Sequence, residues 1–279
     1  MQAIRELEIG VMFWAGRDPV ETLREVKALG VRCGQIGIPG DMNLAGAAAP
    51  WKAALEAEQF TAVTVFASYA GEDYADIPTV EKTVGFIPRA FREERERRTN
   101  EVIDFGAALG VPSFAIHIGF VPEDPANPDY IAVRDMVRRV CDRTAQHGMV
   151  FALETGQEPA ATLLSFFEDV DRPNLKINFD PANLILYGSD NPIEALDVLG
   201  RHVISVHAKD GDWPPKDKPG ALGTELPFGT GSVGVEKLVA KLKEIGYTGP
   251  LCVEREIPDH QQRLKDIRMA VELLERLRG

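Results

Sequence analysis

The stretch LKINFDPANLILYG, residues 175–188, is the part of the sequence from which the fold can be worked out. Its first five residues are typical of a buried strand, which must end before Pro181 because proline has no amide hydrogen for a sheet ladder. Asp180 therefore stands at the end of this strand. Because a buried carboxylate is costly unless something pairs with it, the stretch predicts a partner for the Asp180 side chain.

Three other strand-like runs also end on a residue that can bind a metal ion. FALE ends on Glu154, ISVH on His207 and LCVE on Glu254. With Asp180 they offer three carboxylates and one imidazole, which suit Mn²⁺, Mg²⁺ or Co²⁺ better than a structural Zn²⁺ site. Each acid alone is more often a cap or loop residue than a ligand. Glu256 would face the same way as Glu254 but lies further into the loop, so Glu254 is the preferred ligand. Four such residues on successive strand ends nevertheless predict one divalent-metal site, formed by Glu154, Asp180, His207 and Glu254.

The acidic balance of the chain limits its partners. The 279 residues carry a formal net charge of -12, so we expect neither nucleic acid nor an anionic membrane surface as a partner. We expect no signal peptide and no membrane span. Cys33, Cys141 and Cys252 form no CxxC pair, which is typical of a reducing cytoplasm. The length suits one large α/β domain or two small ones, and without a linker or repeat we expect a single domain, residues 1–279.

Eight strand-like runs, each followed by a helical segment, predict an α/β fold of the (β/α)8 TIM barrel type. The predicted strands are residues 8–14, 33–38, 61–67, 113–118, 150–154, 175–179, 203–207 and 250–254. The predicted helices are residues 19–29, 47–59, 91–109, 128–147, 160–170, 192–199, 235–245 and 260–277. Two long connections, residues 69–89 and 208–232, are predicted as loops, the first as a lid or pocket wall. The alternative, a doubly wound open sheet, expects a glycine-rich turn after the first strand, where the sequence has FWAG.

The alternation of side chains along the strands favours the barrel. If the four metal-binding positions face inward, the residues two before them, and the matching residue of strand four, also face inward. This inward set is small or mildly polar, as a crowded barrel interior requires: Ala115, Ala152, Asn178, Ser205 and Cys252. The outward set is large and apolar, as packing against helices requires: Phe114, Ile116, Phe151, Leu153, Ile177, Phe179, Ile204, Val206, Leu251 and Val253.

Five further residues are candidates for binding a substrate. His117, on the fourth strand, is a candidate substrate contact, with a hydrogen-bonded core histidine as the alternative. Asn183 could bind a hydroxyl or be a plain turn residue, and Lys209 could hold a hydroxyl or carboxylate or form a surface ion pair. Trp14 and Phe66, at two strand ends, could form an apolar pocket wall or serve only in packing.

The segment GTGSVG, residues 229–234, matches the pattern GxGxxG. It follows a long loop rather than a strand, so it is a weak dinucleotide signal. It precedes a helix N-terminus, which can accept an anion or phosphate. The preferred interpretation is that it shapes the loop over the barrel mouth.

The motifs ALE, FDPAN, SVHAKD, FGTGSVG and CVERE, in this order and spacing, resemble the xylose isomerase-like sugar isomerase and epimerase superfamily. The resemblance covers almost the whole chain. It implies that Glu154, Asp180, His207 and Glu254 bind one divalent ion, Mn²⁺ first, with Mg²⁺, Co²⁺ or Zn²⁺ as alternatives. It also implies that Glu154 and Glu254 form the acid–base pair, and that the protein forms a homo-oligomer. The superfamily includes an endonuclease group with three zinc ions, but Asn183 stands where that group has a histidine.

The sequence and the resemblance together predict a cytoplasmic, metal-dependent isomerase or epimerase. It would act on a keto sugar or related polyol by proton transfer next to the carbonyl, through a metal-bound enediolate. One alternative is a dehydratase of the same fold that acts on an inosose or similar keto-polyol. The lesser alternatives are a sugar-binding barrel without catalysis and a DNA-repair endonuclease, which would need a basic face.

Overall fold

The computed structural model describes residues 5–279 and contains a closed barrel of eight parallel strands, as the sequence predicted. The barrel strands are β1 (Ile9–Trp14), β2 (Cys33–Ile38), β3 (Thr61–Ala67), β4 (Ser113–Ile116), β5 (Val150–Glu154), β6 (Leu175–Phe179), β7 (Val203–Ala208) and β8 (Leu251–Val253). The helices are α1 (Pro19–Lys27), α2 (Ala48–Ala57), α3 (Ile77–Thr83), α4 (Arg92–Leu109), α5 (Pro128–Gln146), α6 (Ala160–Val170), α7 (Pro181–Leu186), α8 (Pro192–Leu199), α9 (Val235–Glu244) and α10 (His260–Arg278). Within residues 5–279, no helix combines the length and the apolar character that crossing a membrane requires.

The capping residues explain why the predicted helix boundaries lie close to the observed ones. Asp18 accepts hydrogen bonds from the amides of Val20 and Glu21 and so begins α1, as the sequence predicted. Gly110 ends α4 in the left-handed conformation, at φ 76°, which glycine adopts without a steric cost.

Several short elements between the barrel strands were not predicted. Helix α3 interrupts the connection 69–89, and a hairpin of two short strands, Asp210–Asp212 and Thr224–Leu226, occupies part of the connection 208–232. Helix α7 begins directly after Asp180. Pro181 ends the strand but also starts this helix, because proline is well suited to the first helical position. These elements have three to seven residues, which is too short for a hydrophobic period to reveal them.

The predicted side-chain register holds around the barrel, with one exception. Met12, Phe66, Ala115 and Ala152 form a separate cluster inside the barrel, while the predicted outward residues join the large core under the helices. Ile204 was predicted to face outward, and this is wrong, because it packs against the interior cluster. A β-bulge between β6 and β7 shifts the register there, and Ile204 is its extra, unpaired residue. A bulge changes the direction in which the side chain of its extra residue points.

The layer between strands and helices is expected to supply much of the stability. The rings of Phe114 and Phe151 stack in it with centroids 5.4 Å apart, and both side chains are fully buried. Replacing Phe151 by alanine should cost about 3–5 kcal/mol, because the cavity adds to the lost apolar burial. Met269 on α10 is 50% exposed, so Met269→Ala should change stability by less than about 0.5 kcal/mol. Urea unfolding of both variants measures the difference, and equal losses would contradict this packing.

Candidate metal centre

Four side chains from neighbouring strands converge at the C-terminal mouth of the barrel. Glu154 ends β5, Asp180 follows β6, His207 lies near the end of β7, and Glu254 follows β8. Each offers one ligand atom, and these atoms all lie within 4.8 Å of one another. All four residues are buried. The four residues predicted from the strand ends are therefore brought together, because parallel strands in register deliver their ends to one edge of the barrel.

The contacts of the imidazole fit a divalent cation at this position. His207 Nδ1 lies 2.7 Å from Glu154 Oε1, 3.2 Å from Glu254 Oε2 and 3.7 Å from Asp180 Oδ2. Neither His207 Nδ1 nor Asp180 Oδ2 has a hydrogen-bond partner, although both atoms are buried. Buried polar atoms without a partner are costly, and a cation bound between them would satisfy both. Carboxylates and one imidazole are also a donor set that divalent metals accept.

The electrostatics of the cluster are strongly coupled. Burial raises the pKa of Glu154 to about 7, against the opposing effect of His207. Burial would also raise the pKa of Glu254, but the charges of His207 and Lys209 outweigh it and lower that pKa. Burial would lower the pKa of His207, and the surrounding carboxylates, Glu254 foremost, raise it instead. The site therefore favours the binding of positive charge. The lack of hydrogen-bond partners for His207 Nδ1 and Asp180 Oδ2 indicates the same.

A polar network inside the barrel holds the other side of the imidazole. Gln35 Oε1 lies 3.0 Å from His207 Nε2, and Gln35 Nε2 donates to Asn178 Oδ1 at 2.8 Å and Ser205 Oγ at 2.6 Å. Gln35 is fully buried on β2. When Nδ1 binds a metal the proton must be on Nε2, where the Gln35 oxygen is an available acceptor. Gln35 was not predicted as a site residue, because one glutamine in a strand carries no spacing signal.

Lys209 is a buried neighbour of the cluster rather than a surface ion pair. Its Nζ lies 3.0 Å from Glu254 Oε2, 2.6 Å from Glu256 Oε2 and 3.8 Å from Asp180 Oδ2. The Glu256 side chain is 51% exposed and lies outside the group of four ligands. Lys209 thus connects two of the four clustered acids, Glu254 and Asp180, to Glu256 at the rim of the mouth.

The other predicted substrate residues lie at different depths. The Phe66 ring centroid is 5.9 Å from that of His207, so this side chain forms a wall inside the barrel. Trp14 is 44% exposed, and its ring covers Gly37 on the neighbouring strand. Asn183 is buried in α7, and its backbone amide donates to Asp180 Oδ1 at 2.9 Å. One oxygen of Asp180 therefore caps a helix while the other faces the cluster.

His117 belongs to an aromatic wall on the β4 side of the mouth. Gln157 Nε2 lies 2.8 Å from His117 Nδ1, and the Tyr187 hydroxyl lies 3.4 Å from His117 Nε2. The Tyr74 ring packs edge-on against the imidazole, with centroids 5.5 Å apart. Burial lowers the pKa of His117 to about 3, so its imidazole is neutral at physiological pH. Tyr74, Gln157 and Tyr187 were not predicted, since they lie in loops or at the end of a short helix.

Two loops from opposite sides of the barrel meet on the same side as this wall. The Ile77 amide, in the connection after β3, donates to the Gly220 carbonyl in the hairpin after β7 at 2.9 Å. Strands β3 and β7 are four positions apart in the closed eight-stranded order. The first long connection therefore covers part of the mouth, where a lid or pocket wall was predicted.

Comparison with known proteins relates the chain to a family. The xylose isomerase domain protein from Planctomyces limnophilus is 42% identical, over 98% of both chains, with a TM-score of 0.93. A xylose isomerase-like TIM barrel protein from Mycobacterium smegmatis, solved in complex with magnesium, shares the fold at 18% identity and a TM-score of 0.70, over 97% of this chain and 96% of that one.

A curated enzyme matches a shorter part of the chain. L-ribulose-5-phosphate 3-epimerase UlaE of Salmonella paratyphi C is 29% identical over 125 residues, which are 43% of this chain and 41% of that enzyme. The match thus spans less than half of the enzyme. The family model described as xylose isomerase-like TIM barrel matches residues 23–277. The chain therefore belongs to the xylose isomerase-like TIM barrel family.

Proposed function

We propose that the protein is a divalent-metal-dependent isomerase or epimerase that acts on a keto sugar or a related polyol. The observation that carries the proposal is the convergence of Glu154, Asp180, His207 and Glu254, with two of their buried ligand atoms unpartnered. The partial similarity to a sugar-phosphate epimerase supports the reaction class. Mn²⁺ is the preferred ion, with Mg²⁺, Co²⁺ or Zn²⁺ as alternatives, since the donor set accepts each of them.

The two glutamates are proposed to move the proton. A divalent ion in the site would act as a Lewis acid on the substrate carbonyl, which makes the adjacent C–H group more acidic. One of Glu154 and Glu254 removes that proton and leaves an enediolate, and the other returns a proton to the opposite face. Strands β5 and β8 are three positions apart around the barrel, so the two carboxylates approach from different directions. Return to the same carbon inverts it, and return to the neighbouring carbon isomerises the sugar.

The surrounding side chains are proposed to bind and orient the sugar. Lys209 can donate to a substrate oxygen from its position beside Glu254, and the neutral His117 can donate to or accept from a hydroxyl. Phe66 and Trp14 offer apolar surface to the carbon skeleton, and Asn183 offers a side-chain amide near Asp180. The same residues would serve a dehydratase, in which the enediolate expels a β-hydroxyl. The product mass separates the two reactions, because only the dehydratase product lacks one water.

Replacing either catalytic glutamate by glutamine should abolish proton exchange. Glu154→Gln and Glu254→Gln keep the shape of the side chain but remove the base, and general acid–base catalysis contributes about 10²–10⁴-fold. Deuterium incorporation next to the carbonyl, measured by NMR with a panel of ketoses in D₂O, reports the step directly. Glu272→Gln on the exposed face of α10 is the matched control. A near-normal exchange rate in either site variant would contradict the proposed roles.

Removing the metal should abolish the exchange and lower the thermal stability. Protein purified without chelator or immobilised-metal resin is expected to contain about one divalent ion per chain, as this donor set suits. Adding back metal at 100 times its Kd should stabilise the fold by about 2.7 kcal/mol, seen as a higher melting temperature. A Glu154→Gln/Asp180→Asn double variant should show neither response. About three zinc ions per chain would instead favour the nuclease alternative.

Gln35 should contribute to metal affinity without touching the metal. In Gln35→Leu the Nε2–H group of His207 loses its amide acceptor, and losses of this kind typically cost about 10–100-fold in affinity. Calorimetric titration with Mn²⁺ measures the loss. Thr64→Val is the matched control, because Thr64 is also buried and bonds Ser113 at 2.7 Å. Equal Mn²⁺ affinities of Gln35→Leu and Thr64→Val would show that Gln35 does not position His207.

A further inference from the structure

The loop that follows β5 is bonded to both of its neighbours in the barrel. On the β6 side, Thr155 Oγ1 donates to the Asp180 carbonyl at 3.0 Å and accepts from the Asp180 amide at 2.8 Å. On the β4 side, Glu158 Oε1 accepts a hydrogen bond from the Val121 amide at 2.8 Å. Gln157 lies between these two anchored residues and is itself buried. Its backbone therefore has little freedom to move relative to the mouth.

Gly156 brings the same loop against α7. A Cβ at this position would lie 2.8 Å from Asn183 Cβ and 3.1 Å from the ring of Tyr187, so a larger residue would push the loop away from the helix. The Gly156 carbonyl also accepts a hydrogen bond from Ser189 Oγ at 2.5 Å. The loop, α7 and the tyrosine that follows α7 are therefore packed together on one side of the mouth.

The Gln157 side chain fixes the hydrogen-bonding state of His117. Its nitrogen Nε2 lies 2.8 Å from His117 Nδ1. An amide nitrogen only donates, so Nδ1 of the imidazole is the acceptor. Burial lowers the pKa of His117 to about 3, so the imidazole is neutral and has a single N–H group. That group is therefore Nε2–H, which makes His117 a hydrogen-bond donor at the nitrogen that points away from Gln157.

The charges around the mouth favour the same tautomer. His117 Nε2 lies 3.4 Å from the Tyr187 hydroxyl. Burial raises the pKa of that hydroxyl, and the negative charges of Glu154, Glu256 and Asp180 raise it further. Nε2 thus faces the acidic side of the mouth, where an N–H group is favoured over a lone pair. A contact of 3.4 Å is too long for a strong hydrogen bond, so the N–H group can donate to a substrate oxygen instead.

We propose that Gln157 is a positioning residue, which keeps His117 as a neutral donor that binds an oxygen of the sugar through Nε2–H. The inference rests on the proposed function and adds to it the direction of one hydrogen bond. A neutral imidazole in a fixed tautomer orients a hydroxyl or carbonyl oxygen without adding charge beside the metal centre. Gln157 contributes to the reaction only through His117.

The first test reads the tautomer directly and needs no substrate. Protein with ¹⁵N-labelled histidine rings is studied by two-dimensional ¹H–¹⁵N NMR at neutral pH with Mg²⁺, which unlike Mn²⁺ is diamagnetic. The His117 signals are assigned by their loss in His117→Ala. In the wild type we expect the chemical shift of a protonated nitrogen at Nε2 and that of an unprotonated nitrogen at Nδ1. A proton on Nδ1 of the wild type would overturn the inference.

Variants of Gln157 then test whether this side chain sets the tautomer. In Gln157→Glu a carboxylate, which only accepts, faces Nδ1 and should draw the proton onto it. Gln146→Glu, at the exposed C-terminal end of α5, is the matched control and should leave His117 unchanged. If thermal melting shows that Gln157→Glu does not fold, Gln157→Met replaces it and should give a mixture of tautomers. An unchanged His117 in the folded variant would overturn the role of Gln157.

The second test asks whether Gln157 acts through His117. Deuterium exchange of the ketose panel in D₂O gives kcat and KM for Gln157→Met, His117→Ala and the double variant. Each single change should raise KM by about two- to tenfold and alter kcat less, because the lost hydrogen bond orients the bound sugar before the reaction. The double variant should be no worse than His117→Ala, since the two residues act as one unit.

The outcomes separate this inference from the proposed function. Additive losses in the double variant would overturn the inference and leave the proposed function intact, because Gln157 would then act independently of His117. If the wild type exchanges no ketose, the proposed function is wrong, while the NMR measurement still decides the state of His117 and the role of Gln157 in setting it.

Discussion

The structure depends on the burial of three carboxylates around one imidazole at the mouth of the barrel. Such a group is unstable without compensating positive charge, because each carboxylate loses its hydration and repels the others. The surrounding residues supply part of that compensation. The Lys209 ammonium pairs with Glu254. The backbone amide of Asn183 donates to one oxygen of Asp180, and the Gln35 side chain contacts His207 from inside the barrel. Two buried atoms of the cluster still lack a hydrogen-bond partner, Nδ1 of His207 and Oδ2 of Asp180, and they lie 3.7 Å apart.

The barrel makes this arrangement possible by separating two kinds of packing. Large apolar side chains face the helices and provide the main core, so the interior need not be apolar throughout. The interior instead contains the small cluster of Met12, Phe66, Ala115 and Ala152. Gln35, Asn178 and Ser205 form a hydrogen-bonded layer next to the candidate metal centre. A buried polar layer is tolerable only when its members satisfy one another. Gln35 and Asn178 of this layer also contact Nε2 of His207 and orient its ring, so the same residues serve the barrel interior and the candidate site.

The fold and the convergence of the four candidate metal ligands could be predicted because both follow from strand periodicity. Asp180 and Glu254 each follow a strand, at positions where the alternation of side chains points them into the barrel. The closed barrel then brings these strand ends together. The unpredicted features arise from tertiary contacts. Ile204 is turned inward by a bulge that exists only when β6 pairs with β7. Tyr74 reaches His117 because a long connection folds back over the mouth. Asp210 accepts from the amides of Gly229 and Gly231 only because a glycine-rich segment distant in sequence wraps around it.

The most direct test of the account is the anomalous diffraction of a crystal grown or soaked with Mn²⁺. We expect one strong anomalous peak per chain, bound by Glu154, Asp180, Glu254 and the Nδ1 atom of His207. Density for Gln35 should then still lie within hydrogen-bonding distance of His207 Nε2. A peak elsewhere, several peaks in the mouth, or ordered side chains without any peak at a saturating Mn²⁺ concentration would contradict the central claim that these four residues form a single metal centre.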